Sequence, residues 1–293
     1  MSTLLLGVNG QVGHELRRAL AIHGALLAPP RTQLDLTDLA AVDDFLHRHQ
    51  PDTIVNAAAY TAVDKAESET ALARRLNTEL PDLLARYSAD HEAVLVHYSS
   101  DYVYPGGGDQ PWHEDSPTGP LSIYGQSKLD GDEAIVRRGC SHLIFRTSWV
   151  YSARGSNFLK TMLRLGGERD SLAIVADQVG APTPARLIAD VSAHALRRYR
   201  EAAELGGLYH LAPRGVTSWH GFACEIFRQA RHAGMALAID PERVSAIASD
   251  DYPTPATRPL NSRLGLSRLE SAFALELPDW QSQLSLTLHD LLP

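Results

Sequence analysis

Hydrophobic and polar positions follow two alternating patterns along the first half of the chain. Short apolar runs of strand length occur at 2–8, 25–28, 53–59, 93–100 and 142–150. Between them, apolar residues recur every three or four positions, which predicts helices over 14–24, 38–50, 69–89 and 124–139. Strands that alternate with helices in this way predict an α/β fold with a parallel, doubly wound sheet.

The second half of the chain is less regular. Helical patterns cover 157–166, 185–201 and 218–234, the last with Ser218 as its expected N-cap, and strand-like runs lie at 172–177 and 207–213. These pieces predict a smaller C-terminal α/β cap that binds the substrate. The expected nucleotide-binding domain comprises 1–150 plus roughly 184–215. The expected cap comprises roughly 151–183 and 216–293.

Composition and charge exclude several classes of protein. The 293 residues carry a formal net charge of −8, which argues against a nucleic-acid backbone or an anionic membrane as the main partner. Cys140 and Cys224 form no CxxC motif, and none of the 13 histidines belongs to a metal-binding array. The first residues lack the basic segment of a signal peptide, and no run is long enough to span a membrane. We therefore expect a cytoplasmic protein without a metal.

A glycine pattern marks the first turn between a strand and a helix. Gly7, Gly10 and Gly13 form GxxGxxG directly after the first apolar run. Such glycines let the backbone turn tightly and let a pyrophosphate approach the N–H groups at a helix N-terminus. An ordinary strand-to-helix turn is the alternative, but the position favours a dinucleotide site of the Rossmann type.

The residues after the second strand bear on the choice of cofactor. NAD sites often carry an acidic residue there, which holds the ribose 2′-hydroxyl. This chain has Arg31 instead, and an arginine would pair with the 2′-phosphate of NADPH. The alternative is an exposed loop arginine, with NADH still usable. Asp35 either caps the next helix or lies near the adenine.

Tyr124 and Lys128, in the segment YGQSK, lie on one face of a predicted helix. Such pairs also occur by chance. This helix, however, follows the fourth strand, which ends in the hydroxyl residue Ser100. Reduction of a ketone requires a phenol as general acid, an ammonium near it and a hydroxyl to hold the carbonyl. The three residues therefore predict a reductase site.

These motifs together resemble the extended short-chain dehydrogenase/reductase superfamily. Within it, longer strings resemble the dTDP-4-dehydrorhamnose reductases, and they follow in order from residue 7 to about residue 264. The strings are GVNGQVGHEL, PDTIVNAAAYTAVDKAE, VHYSSDYVYPG, YGQSKLDGDEAI, FRTSWVYS, NFLKTMLRL, DQVGAPTPA, GLYHL and RPLNSRL. The match covers nearly the whole chain.

The resemblance implies a mechanism. NADPH would deliver hydride to the C4 ketone of dTDP-4-dehydro-L-rhamnose, and Tyr124 would donate the proton. Lys128 would hold the nicotinamide ribose and lower the pKa of the tyrosine. Ser100 would hydrogen-bond the substrate oxygen, at a position where the family often has threonine.

The resemblance also implies binding residues. Gly10, Gln11 and Val12 would line the pyrophosphate, Asp35 and Leu36 would flank the adenine, Ala59, Tyr60 and Thr61 would run along the cofactor, and Tyr98 would lie at its nicotinamide end. For the sugar nucleotide, the matching residues are Asp101, Tyr102 and Trp149, with Asn157 and Arg258 as candidates for the thymidine diphosphate. Trp149 could instead be a core residue between the two domains.

One position departs from the family. Some members form a dimer around magnesium held by glutamates, one of which matches Glu15. Where those members have the second glutamate, this chain has Arg186. We expect an ion pair between Glu15 and Arg186 in place of a metal, and both a monomer and a homodimer remain compatible with the sequence.

Two alternative functions remain. One is another epimerase, dehydratase or reductase of sugar nucleotides within the superfamily. The other is a non-catalytic, NADP-binding regulatory subunit, such as the relative that serves methionine adenosyltransferase.

Overall fold

Parallel strands and flanking helices alternate along the chain in the computed structural model, which describes residues 2–291. In chain order the strands are Ser2–Leu6 (β1), Ala25–Leu27 (β2), Thr53–Asn56 (β3), Val94–Ser100 (β4), His142–Thr147 (β5), Val150–Tyr151 (β6), Leu172–Val175 (β7), Val179–Gly180 (β8), Thr183–Pro184 (β9), Gly207–His210 (β10), Thr217–Ser218 (β11) and Val244–Ile247 (β12). The α-helices are Gln11–Ala19 (α1), Leu39–His49 (α2), Val63–Ala66 (α3), Thr70–Arg74 (α4), Leu80–Asp90 (α5), Ile123–Arg138 (α6), Phe158–Glu168 (α7), Ala185–Glu201 (α8), Trp219–His232 (α9), Ser267–Phe273 (α10) and Trp280–His289 (α11).

The central sheet has six parallel strands in the order β10-β5-β4-β3-β1-β2. Its middle strands are apolar without interruption because helices cover both faces, and Leu4, Leu5 and Leu6 of β1 are almost fully buried. α1 and α8 pack on one face, and α2, α5 and α6 pack on the other. The predicted Rossmann-type α/β fold is therefore confirmed.

The strand order reverses at β1, which has β2 on one side and β3 on the other. The chain leaves β1 and β3 in opposite directions, so a crevice lies outside their carboxyl ends. Both the glycine loop and the segment after β3 begin at this crevice. A dinucleotide site is expected at such a reversal of strand order.

The C-terminal half builds a second apolar core from α7, α9 and α11. Phe222, Ile226 and Phe227 of α9 meet Trp280 and Leu284 of α11 there, all nearly or completely buried. β7 and β12 pair in parallel beside these helices. Ser218 caps α9 by accepting from the backbone N–H of Gly221, as predicted. No helix within residues 2–291 is long and apolar enough to cross a membrane.

Two predicted helices differ from the observed ones. The first begins at Gln11 and ends at Ala19, so the predicted bounds 14–24 were wrong, and the helix starts directly after the glycine turn. The predicted helix over 69–89 is divided into α4, a π-helical turn at Arg75–Glu79, and α5. Pro81 has no N–H and its ring conflicts with the carbonyl four residues earlier, that of Asn77, which explains the wider turn.

Candidate active site

The glycine loop forms a cradle against the segment that follows β3. Gly7 has φ +77°, and a Cβ on it would lie 2.6 Å from the carbonyl carbon of Ala57. A Cβ on Gly13 would lie 2.1 Å from the carbonyl oxygen of Gly7. Gly10 is the N-cap residue of α1, and no side chain of the described residues makes a capping hydrogen bond there. Gln11 and Val12 form the first turn of α1, so the helix N-terminus is placed to receive a pyrophosphate, and the loop fits NADPH.

Arg31 and Asp35 lie in the loop after β2. The guanidinium of Arg31 is 3.8 Å from the carboxylate of Asp35, and the arginine side chain is 80% exposed. Asp35 accepts hydrogen bonds from the backbone N–H and the hydroxyl of Thr37. Asp38, and not Asp35, caps α2, so the interpretation of Asp35 as the cap was wrong. Leu36 packs against the apolar core on the α2 side of the sheet.

The segment Ala59–Tyr60–Thr61 follows β3, and the buried side-chain amide of Asn77 holds it in place. Asn77, in the π-helical turn, accepts from the backbone N–H of Tyr60 at 2.8 Å and donates to its carbonyl at 3.0 Å. The same amide donates to the hydroxyl of Ser127 in α6 at 3.0 Å. The π turn thus ties the loop beside the cofactor crevice to the helix that carries Tyr124.

Tyr124 lies in the first turn of α6, which Ser122 caps. Burial raises the pKa of its phenol to about 12, and the hydroxyl of Ser100 at the end of β4 opposes this rise. The expected lowering of the Tyr124 pKa by Lys128 stays a prediction.

Lys128 points from α6 toward the backbone of β4. Its ammonium donates to the carbonyl of Tyr98 at 2.6 Å and lies 3.3 Å from Nε2 of His97. Burial lowers the pKa of Lys128 to about 8, and Asp132, one turn further along α6, opposes this shift. The phenol of Tyr98 donates to Ser192 of α8 at 2.8 Å. The backbone of Tyr98 therefore binds Lys128, and its ring packs in the apolar core between the sheet and α8.

Asp101 follows Ser100 and is 1% exposed. The hydroxyl of Ser100 donates to its Oδ1 at 3.0 Å, whereas its Oδ2 has no hydrogen-bond partner among residues 2–291. Burial raises the pKa of Asp101 to about 6, and the nearby hydroxyl groups of Ser262 and Ser100 oppose this rise. A half-satisfied carboxyl at the end of β4 is available to a polar group of a ligand.

The raised pKa of Asp101 predicts a stability change with pH. The folded state holds the proton more tightly than the unfolded state, so this group stabilises the fold at low pH and loses that contribution as pH rises toward 6. Relative to Asp101→Asn, the wild type should lose about 2 kcal/mol of unfolding free energy between about pH 4 and pH 7. Denaturant unfolding of both proteins at the two pH values measures this difference. A difference that is constant with pH would contradict the assignment.

Trp149 adopts a backbone conformation that bulky residues avoid. Its φ is +50°, and its indole stacks on Trp219 of α9 with ring centroids 3.8 Å apart. A Cβ on Gly180 would lie 3.0 Å from the same indole. The turn at Trp149 also ends β5 at Thr147, short of the predicted end at residue 150. Strain of this kind persists where the surrounding structure holds the side chain in place, often at functional sites.

Asn157 and Arg258 occupy different parts of the molecule. Asn157 caps α7 and donates from its amide to Oε1 of Gln11 at 2.8 Å, so it lies at the cofactor loop. Arg258 makes a two-pronged ion pair with Asp64 of α3, at 3.0 and 2.9 Å. The charge of Arg258 also acts on Tyr102, whose ring meets that of Tyr124 edge-on at 5.4 Å. Of the two residues expected at the diphosphate, only Arg258 therefore lies on the Tyr102 side of the site.

Glu15 and Arg186 make the expected ion pair, with 3.8 Å between Nε and the carboxylate. Arg186 also pairs with Asp290 at 2.9 Å, and Glu15 with Arg18 at 3.5 Å. Asp290 was not expected in this network of ion pairs. The absence of a metal at this position stays a prediction.

Several residues of the site were not anticipated from the sequence. They are His97, Asn77, Asp64, Trp219 and the buried ion pair of Asp132 with Arg146. Pro81 was the one available signal, because a proline inside a helical pattern frees the carbonyl of residue 77. The others depend on which elements pack together.

Comparison with known proteins agrees with this geometry. The model of the RmlD substrate binding domain family matches residues 1–292. A dTDP-4-dehydrorhamnose reductase of Shigella flexneri is 48% identical over 99% of this chain and 98% of its own. Among solved structures, a dTDP-4-dehydrorhamnose reductase of Clostridium acetobutylicum has a TM-score of 0.90 at 32% identity, with 99% of both chains covered. The dTDP-4-dehydrorhamnose reductase of Bacillus anthracis, in complex with NADP, has a TM-score of 0.88 at 31% identity, again with 99% of both chains covered.

Proposed function

This chain belongs to the dTDP-4-dehydrorhamnose reductases, and we propose that Tyr124, Lys128 and Ser100 carry the reaction of that family in it. It is an oxidoreductase that uses NADPH to reduce the C4 ketone of dTDP-4-dehydro-L-rhamnose to the alcohol of dTDP-L-rhamnose. The observation that supports the assignment of residues is the hydrogen bond from Lys128 of α6 to the carbonyl of Tyr98 at 2.6 Å, because it holds the helix that carries Tyr124 against the end of β4, where Ser100 lies.

The proposed chemistry needs one acid and one hydrogen-bond donor beside the ketone. NADPH supplies the hydride when it is bound. The raised pKa of Tyr124 keeps its phenol protonated at neutral pH, so it holds the proton that the developing alkoxide requires. The hydroxyl of Ser100 acts on that phenol and orients the same carbonyl oxygen.

Lys128 lies one turn of helix from Tyr124 and is 1% exposed. Its positive charge stabilises the oxyanion that remains on Tyr124 after the proton has left, and it holds a hydroxyl of the nicotinamide ribose. The carbonyl of Tyr98 fixes the lysine for this task at 2.6 Å. We assign Tyr98 to the nicotinamide end of the cofactor for the same reason.

The remaining cofactor residues follow the crevice. Gly7, Gly10, Gln11 and Val12 hold the pyrophosphate, and Ala59, Tyr60 and Thr61 line the opposite wall. We place the adenine between Asp35 and Leu36 and the 2′-phosphate at Arg31, whose side chain is solvent-exposed beside them. Asn157 joins this set because its amide bonds Gln11.

Arg31 provides a test of the preference for NADPH. In Arg31→Ala, the affinity for NADPH should fall by about tenfold, the equivalent of one exposed charge-assisted contact, while the affinity for NADH stays unchanged. Fluorescence titration of each nucleotide measures both affinities. Arg48, in the last turn of α2, provides the control, since Arg48→Ala should change neither. An equal loss of affinity for NADH and NADPH would contradict the placement of Arg31 at the 2′-phosphate.

The sugar nucleotide is proposed to bind between Tyr102 and the C-terminal half. Arg258 binds its diphosphate, since a planar guanidinium pairs with two phosphate oxygens. Asp101 and Tyr102 contact the sugar at the end of β4, and Trp149 supplies an aromatic surface beside it. The two-domain division expected from the sequence would place this site between the nucleotide-binding sheet and the cap.

An isotope experiment separates a reductase from an epimerase of the same fold. With NADPH deuterated at the transferred position, a reductase places one deuterium at C4 of the product for each NADPH oxidised. An epimerase returns the hydrogen that it removed and leaves the nicotinamide unchanged overall. Mass spectrometry of the dTDP-sugar distinguishes the two, and product without deuterium would contradict a reductase.

We also propose a cytoplasmic protein with small molecules, not nucleic acid, as its partners. The unpaired thiols of Cys140 and Cys224 and the net charge of −8 support this proposal. We propose that the ion pair between Glu15 and Arg186 takes the place of a dimer-interface metal, and a homodimer stays compatible with it.

A further inference from the structure

A buried row of three side chains ends at Lys128, and its other two members take no part in the steps above. Asn56 at the end of β3 is paired with His97 of β4 in the sheet register, with 3.2 Å between Nδ2 and Nδ1. His97 in turn has its Nε2 at 3.3 Å from Nζ of Lys128. The three residues are 1%, 0% and 1% exposed, so water does not compete for their hydrogen bonds.

The backbone fixes the direction of the hydrogen bonds in this row. The N–H of Ala58 donates to Oδ1 of Asn56 at 3.2 Å, so the amide turns its Nδ2–H toward His97. A donor that faces Nδ1 requires a lone pair there, and a neutral imidazole then carries its proton on Nε2. His97 is neutral because burial lowers its pKa well below the usual value.

This tautomer of His97 determines which group the ring presents to Lys128. Nε2–H of His97 points at Nζ of Lys128, which can accept a hydrogen bond only as an amine. An ammonium would set two donors against each other at 3.3 Å. The carbonyl of Tyr98 accepts from Nζ in either charge state and does not discriminate between them.

We propose that Asn56 and His97 form a tautomer lock on Lys128, in which the pair presents an N–H to Nζ and so favours the amine over the ammonium. His97 is a positioning residue, since it contacts Lys128 and acts only through it. The lock deepens the proposed function, because it sets the pH range in which Lys128 carries the charge that Tyr124 uses. It is nevertheless observable without a substrate.

The charged groups around Lys128 do not reproduce this effect. Asp132 of α6 faces it and favours the ammonium, while Arg146 of β5 pairs with Asp132 at 3.0 Å and offsets part of its charge. The charges of α4 and α5, which pack against α6, pair elsewhere on that helix, Arg74 with Asp130 and Asp82 with Arg138. Asp101, beyond β4, acts on Tyr124.

The lysine count makes the lock directly measurable. The sequence contains three lysines, Lys65, Lys128 and Lys160, so a protein labelled with carbon-13 at Cε gives three signals. Loss of one signal in Lys128→Met identifies the buried residue. Nitrogen-15 spectra of labelled histidine report which ring nitrogen of His97 holds the proton, and His97→Phe identifies its signals.

The lock predicts an Nε2–H tautomer for His97 in the wild type. In Asn56→Asp, a carboxylate would accept from Nδ1–H, so Nε2 becomes an acceptor for the ammonium. The titration of Lys128 should then move to higher pH by at least about one unit. The added negative charge by itself also raises the pKa of Lys128. The matched control is therefore the double variant, Asn56→Asp combined with His97→Phe. Most of the shift should be lost in that double variant.

Two results would overturn the lock. One is an Nδ1–H tautomer for His97 in the wild type, which decides the question even if Asn56→Asp does not fold. The other is a full shift of Lys128 in the double variant, which would assign the effect to charge alone. Neither result depends on turnover, so a protein that fails to reduce the sugar nucleotide would contradict the proposed function and leave the lock intact.

Discussion

Replacement of Tyr124 by phenylalanine is expected to lower kcat by about 10³-fold, since a positioned general acid contributes about two to four orders of magnitude. Desolvation of the half-buried side chain raises the pKa of this phenol, which keeps the proton in place until the alkoxide develops. The ring remains in Tyr124→Phe, so its edge-on contact with Tyr102 and the binding of NADPH should persist. Loss of NADPH absorbance with the dTDP-ketosugar measures the rate, and fluorescence titration measures the cofactor affinity.

A matched control separates the loss of the general acid from the loss of any tyrosine hydroxyl. Tyr209 of β10 is buried, and its hydroxyl donates to the carbonyl of Leu205 at 2.8 Å, outside the site. Tyr209→Phe should keep wild-type kcat. If Tyr124→Phe retained more than about a tenth of wild-type kcat, another group would be the acid.

Replacement of Gly13 by alanine is expected to weaken NADPH binding by more than about tenfold, because the cradle for the pyrophosphate loses its shape. The added Cβ would lie 2.1 Å from the carbonyl oxygen of Gly7 and 2.7 Å from its carbonyl carbon. These are backbone atoms, so a side-chain rotation cannot relieve the overlap. α1 must move away from β1, and the thermal midpoint should fall as well.

The control for Gly13→Ala is Gly167→Ala in α7. A Cβ at that position meets no atom of the described residues within 4 Å, so cofactor affinity should stay unchanged and helix propensity should improve. Titration of NADPH and a thermal melt of each variant provide both readouts. Wild-type affinity in Gly13→Ala would show that the glycine loop does not hold the cofactor.

The features that the sequence predicted well depend on local chemistry. The glycine loop is recognisable because tight turns and close backbone approach require glycine at fixed spacing, and the structure shows both at Gly7 and Gly13. The five apolar runs became the first five strands of the central sheet because buried parallel strands are apolar on both faces. Tyr124 and Lys128 share α6 as their spacing predicted.

The features that could not be predicted from the sequence depend on contacts between distant segments. The direction in which Lys128 points is decided by the carbonyl of Tyr98 and the ring of His97, and neither contact has a signal in the pattern. Asn157 matched a diphosphate ligand in the family, yet its contact with Gln11, 146 residues away, places it at the cofactor loop. Asp35 and Asp38 both fit a helix cap by residue type, and only the backbone shows that Asp38 is the cap.

The conformation of Trp149 illustrates the same limit. An apolar run over 142–150 reads as one strand, but the left-handed turn at Trp149 divides it into β5 and β6. The stacking on Trp219 that accompanies this turn joins residues 70 positions apart. Periodicity along one segment carries no information on such a partner.

This chain is expected to turn over a dTDP-ketosugar with NADPH. The most direct measurement is the consumption of NADPH by the wild-type protein with enzymatically prepared dTDP-4-dehydro-L-rhamnose, together with identification of the product. We expect repeated turnover, with one dTDP-L-rhamnose formed for each NADPH oxidised. Tight binding of NADPH without any turnover would contradict it and would favour a non-catalytic, NADP-binding subunit with the same fold.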